Sequence, residues 1–88
     1  MPIVYAKEGE EVELVRLIAG RNLARRLSEM GINKGTRIRI VSNSGIGPII
    51  IEIAGKRFGI GRGIASKMLV NIINDKNRSE ENRKKKHY

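Results

Sequence analysis

The 88-residue chain has no cysteine and no tryptophan, a single histidine, and only Tyr5, Phe58 and Tyr88 as aromatic residues. Without cysteine there are no disulfide staples and no thiolate metal ligands, which fits a reducing compartment. The lone histidine, His87, is the penultimate residue of a basic tail, where nothing would hold it in a catalytic geometry. The serines at 28, 42, 44, 66 and 79 therefore lack an imidazole base, and Glu8, Glu10, Glu11 and Glu13 crowd a solvated stretch near the N-terminus. Those glutamates are the only cluster that could attract a hard cation, and a charge run of this kind reads as a wet edge. No enzyme activity, cofactor or metal site is expected. No apolar run approaches the roughly 18 residues that span a bilayer, and "MPIVYAKEGEE" lacks the basic-then-apolar order of a secretory leader. The expectation is a cytoplasmic protein.

What the chain does have is positive charge: 18 Lys and Arg against 9 Asp and Glu, a formal net charge of +9. Six of the basic residues (Lys76, Arg78, Arg83, Lys84, Lys85, Lys86) and three of the acidic ones (Asp75, Glu80, Glu81) lie in residues 74–88. Residues 1–73 thus keep twelve basic and six acidic groups, a net charge of +6. Such a surface attracts RNA, anionic lipid or an acidic protein by its field alone. The tail has no apolar periodicity and ends in a basic run, the pattern of a disordered segment. One domain over 1–73 and a basic tail over 74–88 are expected, since a chain this short supports a single core.

One segment reads as a helix. In "GRNLARRLSEMG", Leu23, Leu27 and Met30 share a stripe, Asn22 offers an N-cap, Gly31 stands where a left-handed C-terminal cap is wanted, and Arg25 and Glu29 are spaced to pair. The remainder reads as strand. "VELVRLI" (12–18) is apolar with broken alternation, "TRIRIV" (36–41) alternates cleanly, and "PIIIEI" (48–53) is a β-branched run. Ala54-Gly55-Lys56 supplies a tight turn into "RFGI" (57–60), and "MLVNII" (68–73) follows a short glycine-rich link in which Ala65 would pack under the core. Five short strands with one brief helix between the first and second predict a mainly β fold, a small closed or nearly closed barrel without exposed edges.

Alternation then places side chains. If Ile38 and Ile40 face the core, Arg37 and Arg39 face solvent, either as a wet wall or as a binding face. Ile50 is opposite in parity to Ile49, Ile51 and Ile53, and so either stands exposed or packs under the helix. "GIGRGIA" (59–65) lacks the G-x-G-x-x-G spacing of a dinucleotide loop, and "AGKR" (54–57) lacks the first glycine and the Ser/Thr of a phosphate loop. Both read as turns. RNA binding through the basic face and tail is an alternative function. With Tyr5 as the one aromatic residue available for stacking, it would rest on phosphate attraction alone, and nucleic acid is the weaker partner class.

The run Arg26, Leu27, Met30, Gly31, Ile32, Gly35, Thr36, Ile38, Ile40 resembles the ferrous iron transport protein A (FeoA) family pattern R-L-x-x-M-G-I-x-x-G-T-x-I-x-V. The likeness continues through Gly9, Gly47-Pro48, the Gly55 hairpin, and Arg62, Ala65, Met68 and Val70. Position 64 is isoleucine, where relatives commonly have an acidic residue. The resemblance implies an SH3-like barrel serving as a cytoplasmic accessory to a membrane ferrous iron transporter with a G-protein domain (FeoB-type). It also implies transition-metal binding, for which the sequence offers no His/Cys/carboxylate set. Under this reading the partner-binding candidates are Arg25, Arg37, Arg39 and Arg62 with Ile50 and Ile64 as apolar anchors. The chain is expected to be a monomer, with tail lysines that an inner membrane surface would attract.

Overall fold

The computed structural model describes residues 1–73; the basic tail and its expected disorder lie outside the described residues. The elements follow in the order β1 (Glu11–Leu17), α1 (Arg21–Glu29), β2 (Arg37–Ser42), β3 (Ile49–Ile53), β4 (Lys56–Ile60), α2 (Arg62–Ala65) and β5 (Met68–Ile72). All pairings are antiparallel, and the five strands stand in the order β4-β3-β2-β1-β5. Residues 61–67 alone, including the single turn α2, join the two outermost strands. This short connection bends the sheet round one core that holds residues of all five strands.

Alternation does place the isoleucines. Val12, Leu14, Ile38, Ile40, Ile49, Ile51, Ile60, Met68 and Val70 are buried, with Leu27 and Ile32 closing one end and Ala65 another. Each fully buried isoleucine stabilises the fold by about 1.5–3 kcal/mol. A slip of one residue would turn Ile38 and Ile40 of β2, or Ile49 and Ile51 of β3, outward, so the register is strongly specified.

Helix α1 ends as its glycine predicts. Gly31 has φ +84°, its N–H donates to Ser28 O at 2.9 Å, and the Ile32 N–H donates to Leu27 O at 2.8 Å. These two bonds are a Schellman cap, and the buried pair Leu27 and Ile32 supplies its apolar contact. The start of the helix differs from expectation. Gly20, with extended backbone, is the N-cap, and no side chain caps the helix. Asn22 lies inside the first turn, where its Oδ1 accepts a 3.0 Å bond from Arg25 Nη2; Arg25 thus reaches back to Asn22 instead of forward to Glu29.

Two irregularities were hidden in the pattern. The register of β1 on β5 shifts between Leu14 and Arg16, so Val15 is the extra residue of a bulge. That bulge is the physical cause of the broken alternation in "VELVRLI". A second shift falls between Ile40 and Ser42 on β2. The N-terminal residues also pack: Ile3–Tyr5 form a 3-10 turn, Pro2 bridges Leu69, and Val70 N–H donates to Met1 O at 2.7 Å. They cover the free side of β5, an edge that would otherwise invite another strand.

Candidate protein-docking surface

The outer face of the sheet is a ladder of charge. Arg39 opposes Glu52 across the β2–β3 pair, and Glu52 opposes Arg57 across β3–β4. Arg39 grips the Glu52 carboxylate through Nε at 3.1 Å and Nη2 at 2.7 Å, while Arg57 Nε reaches its other oxygen at 3.3 Å. The hydrogen bonds from Arg39, and secondly those from Arg57, hold the Glu52 carboxyl below its ordinary range. Arg37, exposed on the same face, stands 3.8 Å from Glu11. The arginines of β2 therefore share their charge with carboxylates of β1 and β3.

The other candidates separate. Arg25 is exposed on α1. Ile50 shares the outer face with Arg39, the face its parity assigns, and is half-buried there. Its Cδ1 and the Pro48 ring cover Gly59 on the neighbouring strand, 3.7 and 3.8 Å from where a Cβ at that glycine would lie. The missing side chain at Gly59 gives Ile50 its cover. Ile64 is half-buried against the core and keeps part of its side chain exposed. Arg62, at the start of α2, is half-buried beside Asn43. Ile46 is 86% exposed at a loop tip.

The bulge builds a further site. Val15, looped out and 38% exposed, stands with Leu17, Ala24 and Ile32 over a groove of about 510 Å³ between β1, α1 and the turn after the helix. Arg16 and Lys34 line the same groove, and no carboxylate does. Arg21 lies one turn before Ala24 on the same helical face. The result is an apolar floor with a basic rim, the anatomy of a modest protein contact. The only signal for it in the sequence was the broken alternation.

Three of the four glutamates near the N-terminus have separate partners. Glu10 accepts a 2.6 Å bond from Lys7 N–H, Glu8 accepts a 3.0 Å bond from Asn43 N–H, and Glu11 faces Arg37. Among the described residues no three acidic, histidine or cysteine side chains gather to hold a metal. None of the helices among those residues is long and apolar enough to cross a membrane.

Five antiparallel strands wrapped on one core, with a single helix after the first strand, define an SH3-like barrel presenting surfaces for contact. The profile of the FeoA domain family matches residues 1–72, and the chain belongs to that family, which is linked to ferrous iron transport. A Methanocaldococcus jannaschii protein with the provisional name Fe(2+) transport protein A is 44% identical over 69 residues, covering 78% of this chain and 83% of its own. The crystal structure of an iron uptake regulatory protein (FeoA) superposes with a TM-score of 0.78 at 32% identity, covering 83% of this chain and 97% of that one. The FeoA of Stenotrophomonas maltophilia, solved in complex with zinc and described as a prokaryotic SH3 domain protein, has a TM-score of 0.70 at 24% identity, covering 81% and 89%.

Proposed function

We propose that this chain is a cytoplasmic accessory and regulatory protein of ferrous iron uptake that binds the cytoplasmic G-protein region of the membrane ferrous iron transporter. It acts by docking, without chemistry of its own. Family membership supports the iron transport setting. The observation that carries the docking is the groove of Val15, Leu17, Ala24 and Ile32, whose charged lining residues are Arg16 and Lys34. A partner segment with one or two aliphatic side chains between carboxylates fits it.

Arg37 and Arg39 play a secondary part in this reading. Because Glu11 and Glu52 stand beside them, they contribute to register and long-range attraction more than to affinity. The same pairing weakens the RNA alternative, since phosphates would have to displace carboxylates already in place.

The test is a binding titration of the purified transporter G-protein domain against the protein and its groove variants. Val15→Glu should place a carboxylate on the apolar floor and abolish detectable binding. The double variant Arg16→Glu with Lys34→Glu should slow association and reverse its salt dependence. Unchanged binding in both would overturn the assignment of the groove.

A further inference from the structure

A second surface is built from different residues. Asn43, just past β2, ties three segments together: its Nδ2 donates to Val4 O at 3.0 Å and Ala6 O at 2.7 Å, and its backbone N–H donates to Glu8. Because both amide hydrogens are taken by carbonyls, Oδ1 must face the other way, where it accepts a 2.7 Å bond from Arg62 Nη2. Arg62 is therefore held by a side chain that is itself held, the condition for a preorganised site.

The anomaly is the charge of Arg62. Among the described residues no carboxylate lies within ion-pair distance of it, and its Nε is buried without a hydrogen-bond partner. The exposed Arg39 and Arg57 converge on Glu52, whereas the half-buried Arg62 has only a neutral amide. This is the reverse of what stability alone favours, since a guanidinium removed from water is the one that most needs a counter-charge. The Arg62 Nε has no exposed surface, so a partner in the trough would meet the guanidinium through its Nη groups.

Arg62 lines an open trough of about 760 Å³ with residues 4–8 and 43–45. Its charged groups are Arg62, Lys7 and Glu8, and Glu8 already accepts from Asn43. Tyr5, 72% exposed, stands on its wall. A trough this open would leave a small molecule largely in water, whereas ligand pockets enclose most of theirs. Tyrosine and arginine side by side are instead the residue types that anchor protein contacts.

We infer that this trough is a docking site for an extended, acidic segment of a protein partner, with one carboxylate taken by the Arg62 fork, a second reached by Lys7, and the chain packed on Tyr5. The planar guanidinium matches a carboxylate in two parallel hydrogen bonds, which a lysine cannot reproduce. The site shares no residue with the groove between β1 and α1, so it stands whether or not that groove binds the transporter.

The test uses the full-length, nitrogen-labelled protein and three probes at one ionic strength: a short peptide of aspartate and glutamate residues, its asparagine and glutamine counterpart, and inorganic phosphate. The acidic peptide should shift the Arg62 Nε–Hε resonance and the amides of Tyr5, Lys7, Ser44 and Gly45 saturably, and the amide counterpart should shift none of them. Arg62→Lys, which keeps the charge, and Tyr5→Ala, at an exposed position outside the core, should each weaken the peptide about fivefold or more, the loss expected of an interface anchor. Equal shifts from both peptides would overturn the proposal. So would phosphate binding at Arg62 as strong as the peptide's, which marks a general anion site, or Tyr5→Ala binding as tightly as the parent.

Discussion

Replacing Ala54 by asparagine should stabilise the protein. Ile53 pairs with Lys56, leaving Ala54 and Gly55 as a two-residue hairpin loop with φ of +50° and +82°. Positive φ at both positions is the type I′ turn that matches the twist of its strands, and its preferred pair is Asn-Gly. Alanine in this conformation costs about 1–2 kcal/mol, because its Cβ crowds the carbonyl oxygen. Asparagine tolerates the region, so the substitution should recover about 0.5–1 kcal/mol and raise Tm by roughly 2–8 °C for a domain of this size. Ala54→Gly should gain less, since glycine returns about 0.4–1 kcal/mol of entropy to the unfolded chain. Gly55→Ala should lose about 1–2 kcal/mol, all of it conformational, because an added Cβ there meets nothing within 4 Å. Ala54 is exposed, so no packing change obscures the comparison. Urea denaturation of the three variants against the parent measures it; a neutral or destabilising Ala54→Asn, or a harmless Gly55→Ala, would refute the turn assignment.

Gly31→Ala should cost about 1–2 kcal/mol in the same assay, since φ +84° at the end of α1 sits in open space and the penalty is again the backbone's. Acid should weaken the charge ladder: the Glu52 carboxyl is held below its ordinary 4.5, so its contribution is complete above that value and is lost as pH falls below it. Glu52→Gln should therefore flatten the acid side of a Tm-against-pH profile, and an unchanged profile would show that the ladder contributes nothing. Asn43→Ala leaves the Val4 and Ala6 carbonyls without its amide, and should cost about 1–3 kcal/mol and speed amide exchange in residues 3–8 relative to β3.

The strands and the helix were legible because burial on one face imposes alternation and because glycine at a helix end has one conformational use. "TRIRIV" and the Met30-Gly31 step needed no tertiary information. The bulge at Val15 did: two-residue alternation records that β1 is irregular, but only pairing with β5 shows which residue is extra. The partial cover of Ile50 was illegible for a related reason, since parity assigns its face while the cover comes from the absence of a side chain at Gly59 on the next strand. Asn22 looked like the N-cap because its type suits the role, yet Gly20, two residues earlier, has the extended backbone the position requires. The part of Asn43 could not be read at all, because its partners at 4, 6, 8 and 62 are brought to it by the fold.

Docking of the transporter in the groove between β1 and α1 is directly observable. An amide chemical-shift titration of the labelled protein with the soluble G-protein domain of the cognate transporter, at near-physiological salt, addresses it most directly. Saturable shifts are expected at Val15, Arg16, Ala24 and Lys34, lost in Val15→Glu. An unperturbed spectrum at saturating partner, or shifts that leave those residues untouched, would contradict it.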